Sequence, residues 1–110
     1  MNWYVSEKVK ENFKNRLNQV KILIKESGIE YIEVGVFGSY ARNEYNATSD
    51  IDICIIAKQH PERIASGMLR LKADELKVDI IYSTPEYFYN NNSLFAKNLR
   101  RDYRRINLDE

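Results

Sequence analysis

The chain has one cysteine, one histidine and two prolines in 110 residues. A single thiol, Cys54, excludes an internal disulfide, and the expected setting is a reducing cytoplasm. One cysteine and one distant histidine leave a zinc site or a thiol nucleophile without the donors it needs. Cys54, mid-strand, reads as core; His60, beside Pro61, reads as a cap or surface residue. Neither sign of charge dominates, with 17 Lys and Arg against 16 Asp and Glu. There is thus no global electrostatic pull towards nucleic acid or a membrane surface, and no direct nucleic-acid partner is expected. No apolar run approaches membrane-spanning length, and the opening segment MNWYVSEKVKENFK has no apolar signal-peptide core, so no membrane association is expected. Repeats, low-complexity tracts and linkers are also missing. The expectation is one domain over residues 1–110, with 44% apolar residues to build a core.

What is present is a regular alternation of helical and extended patterns. Val9, Phe13, Leu17, Val20 and Ile24 recur at spacings of three and four and predict a helix over 6–27, with Ser6 as cap and Gly28 as its left-handed terminus. YIEVGVFG (31–38) and DIDICIIA (50–57) read as strands, the second apolar on both faces past Asp52 and so interior to a sheet. A helix is expected over 61–75 with Pro61 at its first position and Ile64, Ala65, Met68, Leu69 and Leu71 as its apolar residues. KVDIIYS (77–83) reads as a strand and 93–103 as a helix, followed by a short extended tail. The fold class is α/β (α+β): a small mixed sheet flanked by helices.

The unusual feature is charge inside this pattern. Side chains alternate along a strand, so Asp50 and Asp52 are expected on one side and Ile51 and Ile53 on the other. Asp79 sits in VDII, flanked by apolar residues. If those two strands are neighbours, three carboxylates converge and repel, and a hard divalent cation relieves them. On its own, Asp-x-Asp at a strand start reads as a solvated edge or turn. Upstream, however, Gly38-Ser39 closes a strand and SYAR (39–42) can open a short helix. Such a turn presents backbone N–H groups to phosphate, with Gly38 permitting close approach and the Ser39 hydroxyl adding a donor. A phosphate cradle followed by paired carboxylates fits a nucleoside triphosphate bridged to Mg²⁺.

The segment FGSYARNEYNATSDIDI resembles the signature of the minimal nucleotidyltransferases of the DNA polymerase beta superfamily: Gly-Ser, a spacer of ten (residues 40–49), then Asp-hydrophobic-Asp-hydrophobic. VDII resembles the family's third-carboxylate strand, and the resemblance spans essentially the whole chain. It implies a polymerase-beta-type palm. It also implies Mg²⁺ (two ions) held by Asp50, Asp52 and Asp79, with ATP phosphates held by Gly38 and Ser39. Arg42 has a loop-bracing or a phosphate-neighbouring role. Asn43 stands where family members often have Gly, and Asn tolerates the same left-handed conformation. Near Tyr103 the family often has another Gly.

A chain this short has no room for a domain that holds the acceptor. It is similar to the antitoxin half of toxin–antitoxin pairs whose partner is a small helical HEPN-domain toxin. The implied function is transfer of AMP from ATP to a tyrosine hydroxyl of that partner. The alternatives are a non-catalytic module that masks its partner, and nucleotidylation of a small molecule at a homodimer interface. The basic cluster Lys97, Arg100, Arg101, Arg104 and Arg105 reads as a solvated helix face or as a contact for an acidic partner surface or RNA held by it. Tyr87, Phe88 and Tyr89 read as an apolar rim or as core.

Overall fold

The computed structural model describes residues 6–109. Helix α1 (Glu7–Glu26) starts where Ser6 accepts a hydrogen bond from the Val9 amide at 3.3 Å, and ends before Gly28, whose φ is +73°. Phe13, Val20 and Ile24 are buried along its face, with Val9 and Leu17 packed beside them. Strand β1 (Glu33–Phe37) runs into the one-turn helix α2 (Gly38–Ala41). After a loop come β2 (Ile51–Ile56), helix α3 (Arg63–Asp74) and β3 (Val78–Ser83). Two helices, α4 (Pro85–Asn90) and α5 (Leu94–Asp102), and the short strand β4 (Arg104–Ile106) complete the chain.

The sheet is mixed, in the order β3-β2-β1-β4. β1 is antiparallel to β2 and to β4, and β2 is parallel to β3 through the α3 crossover. Alternation in β2 sorts the core into two layers. Ile51, Ile53 and Ile55 join Phe13, Val20, Ile24, Leu69 and Ala73 under α1 and α3. Cys54 and Ile56 join Phe88 and Leu99 under α4 and α5. β2 is buried on both faces, as its continuous apolar run predicts for an interior strand.

Four expectations need correction. Pro61 is not the first helical residue: Glu62 caps α3, its carboxylate accepting from the Ile64 and Ala65 amides at 3.0 and 2.9 Å. Pro85 is the proline that opens a helix, behind Thr84, in a segment where no helix was expected. The apolar positions of α3 are only partly core: Leu69 is buried, but Ile64, Met68 and Leu71 are 73%, 50% and 68% exposed. Asp50 lies one residue before β2, exposed and outside the ladder, so alternation governs Asp52 and not Asp50.

Gly67, half-buried in the middle of α3, would meet nothing within 4 Å if it carried a Cβ. Gly67→Ala is therefore expected to stabilise the fold by about 1 kcal/mol, the helix-propensity difference, read as a raised thermal midpoint.

Candidate functional site

The site forms where β1, β2 and β3 run out from under α4 and α5. In the register of the sheet, Phe37 pairs with Asp52 and Asp52 pairs with Asp79. The three residues stand side by side on the face that further along carries Cys54 and Ile56. Asp52 is half-buried and Asp79 exposed. Burial first, then the charges of Asp79 and Asp50, push the Asp52 carboxyl up from 3.8 to about 6. The shift reflects burial first and crowded negative charge second, offset only in part by the charge of Arg42.

Gly38 follows Phe37 at φ +73°. A Cβ at Gly38 would collide with Asp52 Oδ2, so this glycine lets the turn lie directly against the carboxylate. The cap position of α2 is Phe37, whose side chain makes no capping hydrogen bond. Ser39 is half-buried in that turn. Phe95 of α5 meets Phe37 edge-on, with ring centroids 6.4 Å apart, which sets an exposed aromatic beside the turn.

The loop between α2 and β2 is anchored from within. Tyr40 and Tyr45 pack on Phe13, with ring centroids 5.6 and 4.4 Å away, and on each other at 5.0 Å. Asn46 Oδ1 accepts from the Thr48 amide at 2.9 Å, and Ser49 Oγ accepts from the Asn46 amide at 3.0 Å, folding the chain into Asp50. Asn43 takes the left-handed conformation at φ +62°, as expected of an Asn in a glycine position. Arg42 braces: its Nε donates to Glu44 Oε1 at 2.6 Å and its Nη1 to Asp102 Oδ2 at 2.7 Å. The Asp102 side chain is buried, and Arg101 together with Arg42 holds its carboxyl below the usual range.

Other singled-out residues fall outside the site. His60 is exposed, with Nδ1 2.8 Å from the Pro61 carbonyl, at the opposite end of the sheet, where a groove of about 880 Å³ lies between residues 28–32 and 58–62. Cys54 is fully buried and its thiol is pushed up to about 12 by burial, then by Glu33, so it is chemically quiet. Much of the basic cluster is engaged: Arg100 donates to the Phe88 carbonyl at 2.6 Å, Arg101 to Asp102 at 3.0 Å and Arg104 to the Tyr103 carbonyl at 3.0 Å. Phe88 is core, whereas Tyr89 is exposed.

One residue near the site escaped sequence reasoning. Arg16 of α1 is 8% exposed, and its guanidinium stacks on Phe13 at 4.4 Å. The available signal was an arginine on the same helical face as Phe13 and Val20.

The donor set is all carboxylate oxygen, next to a backbone turn, which suits a hard cation rather than zinc or copper. Among the described residues no three His, Cys, Asp or Glu side chains close into a ready-made cage. Mg²⁺ does not require one, because it takes one or two carboxylates and completes its shell with water and substrate phosphate. The residues present therefore fit Mg²⁺ accompanied by a phosphate-bearing substrate.

Sheet order, the Gly38 turn and the register-paired aspartates set carboxylate oxygens directly against a backbone turn. The nucleotidyltransferase domain model matches residues 17–107, and the chain belongs to that family. Solved structures share the fold. A structure of a minimal nucleotidyltransferase is 22% identical with a TM-score of 0.58, covering 87% of this chain and 94% of that one. A toxin–antitoxin structure with AMP-PNP is 22% identical with a TM-score of 0.58, covering 83% and 71%. A tri-AMPylated Shewanella oneidensis HEPN toxin in complex with an MNT antitoxin gives 18% and 0.55, covering 84% and 69%. No curated protein sequence matches the chain significantly. Among the described residues no helix is long and apolar enough to cross a membrane.

Proposed function

We propose that the chain is an antitoxin-type nucleotidyltransferase that transfers AMP from ATP to a hydroxyl, a tyrosine's, on a HEPN-domain toxin. The observation that carries the reading is the direct pairing of Asp52 with Asp79 beside the Gly38 turn. The likeness to structures described as a toxin–antitoxin with AMP-PNP and as a tri-AMPylated HEPN toxin with its MNT antitoxin supports the choice of donor and partner.

Each group has a role in this reading. Gly38 and Ser39 would hold the outer phosphates, and Asp50 and Asp52 would hold the nucleotide-bound metal. Mg²⁺ held by Asp50, Asp52 and Asp79 would supply charge neutralisation for the attacking and leaving oxygens. Asp79, the exposed carboxylate of the pair, takes the proton of the incoming hydroxyl. That oxygen forms a bond to the α-phosphorus, the bond to the β-phosphate oxygen breaks, and pyrophosphate leaves. Most of the rate enhancement is positioning and charge stabilisation, since little covalent chemistry falls to the protein. Arg42 is assigned to the loop rather than to the nucleotide, because its guanidinium is already shared between Glu44 and Asp102.

Incubating the purified chain with α-labelled ATP, Mg²⁺ and a HEPN partner is expected to label the partner. Tight complex formation without label would replace this reading with masking. Label on a small molecule, released by a homodimer, would replace it with the metabolite reading.

A further inference from the structure

Arg16, almost out of water, spends the Nε and Nη2 of its guanidinium on backbone carbonyls, while Nη1 donates to Asn12 Oδ1 at 3.4 Å. Its Nε donates to the Leu76 carbonyl at 2.8 Å, and its Nη2 to the Lys77 carbonyl at 2.8 Å and the Ser49 carbonyl at 3.4 Å. Leu76 and Lys77 lead into β3, which carries Asp79. Ser49 leads into Asp50 and β2, which carries Asp52. The Lys77 carbonyl also accepts from the Ile51 amide at 3.1 Å, the first rung between the two strands. Lys77, its side chain exposed, adopts φ +57° in the turn that closes α3, where its amide donates to the Asp74 carbonyl at 3.0 Å. A left-handed lysine is costly and is held only when its surroundings demand it. Asp50, lying outside the ladder, has no strand to place it, and its neighbour Ser49 is tied to the same guanidinium.

We propose that Arg16 is a positioning residue: with the Lys77 carbonyl it sets the spacing of the β2 and β3 starts, and through them the approach of Asp50 and Asp79 to Asp52. The inference rests on the metal-binding reading of those carboxylates. Two effects of removing Arg16 oppose each other. Its positive charge disfavours a nearby cation, so on Coulomb grounds alone its loss should tighten metal binding. Loss of positioning should weaken it, by roughly tenfold to a hundredfold if Arg16 acts as outer groups around metal ligands commonly do.

Mn²⁺ titrated into the full chain and followed by electron paramagnetic resonance separates the two. Arg16→Gln is expected to bind Mn²⁺ at least about tenfold more weakly than wild type; equal or tighter binding overturns the proposal. If Arg16→Gln fails to fold, Lys77 decides. Lys77→Gly reaches the left-handed conformation without strain and should keep wild-type affinity, whereas the β-branched Lys77→Val should weaken it. Equal affinity in the two Lys77 variants overturns the proposal. If the wild type itself binds no Mn²⁺, the metal reading fails. Hydrogen exchange at the Ile51 amide then still reads the brace: it should quicken in Arg16→Gln or Lys77→Val, and unchanged protection overturns the positioning role.

Discussion

Asp52→Asn is expected to abolish nucleotide transfer and at the same time raise the stability of the metal-free protein at neutral pH. The Asp52 carboxyl titrates near 6 in the native protein against 3.8 for an unperturbed group. The native state therefore holds this proton more tightly than the unfolded chain does. Stability from this group is fully present below about 3.8 and is lost as pH rises through about 6, above which the ionised carboxylate opposes folding. Asn copies the neutral form at every pH. Taken at face value the shift corresponds to roughly 3 kcal/mol. Asp52 is only half-buried, so water screening reduces the expected gain to on the order of 1 kcal/mol. The check is a pair of thermal melts, one at pH 7.5 and one near pH 4, with Asn ahead in the first and level in the second. Adding Mg²⁺ should raise the midpoint of wild type but not of Asp52→Asn. A variant destabilised at pH 7.5 would refute the account of a buried, crowded carboxylate, and one that transfers normally would refute its catalytic role.

Gly38→Ala is expected to lose about a hundredfold in transfer, the usual consequence of displacing a reacting group by an ångström. Two penalties combine there. An L-residue at φ +73° costs roughly 1–2 kcal/mol, and the new methyl collides with Asp52 Oδ2, so the carboxylate or the turn must move. Gly28 provides the control, because it has the same φ of +73° with nothing within 4 Å of its would-be Cβ, at the far end of α1. Gly28→Ala should show similar backbone strain in a melt and retain transfer with the labelled partner. Equal activity in both alanine variants would mean that contact between the turn and Asp52 is irrelevant to the chemistry.

The sequence carried the sheet and its interior strand because period-two and continuous apolar patterns report directly on burial. It left the approach of Asp79 conditional on the second and third strands being neighbours, and only the sheet itself shows that they are, with Asp52 and Asp79 in register. What it did not carry depends on local hydrogen bonding between residues of ambiguous type. Pro61 and Pro85 look alike as helix openers, but Thr84 accepts from the Tyr87 amide at 3.2 Å behind Pro85, while the capping carboxylate near Pro61 belongs to the residue after it. Ile64, Met68 and Leu71 satisfy a helical period yet remain exposed, since periodicity marks a face without saying that anything covers it. Arg16 was passed over because charge ordinarily marks the solvent side of a helix. Its burial becomes legible only when the carbonyls of two distant loops are brought to it.

β3 is an edge strand of the sheet, and Asp79 sits on it in the open. Under the proposed reaction, the donor half is assembled by this chain and the acceptor half arrives from solution. Turnover then has a collisional order: at low partner concentration it follows the encounter rate, typically 10⁵–10⁷ M⁻¹s⁻¹ for two proteins that must dock in one orientation. In that regime the amount of partner in the cell would set how quickly it is modified.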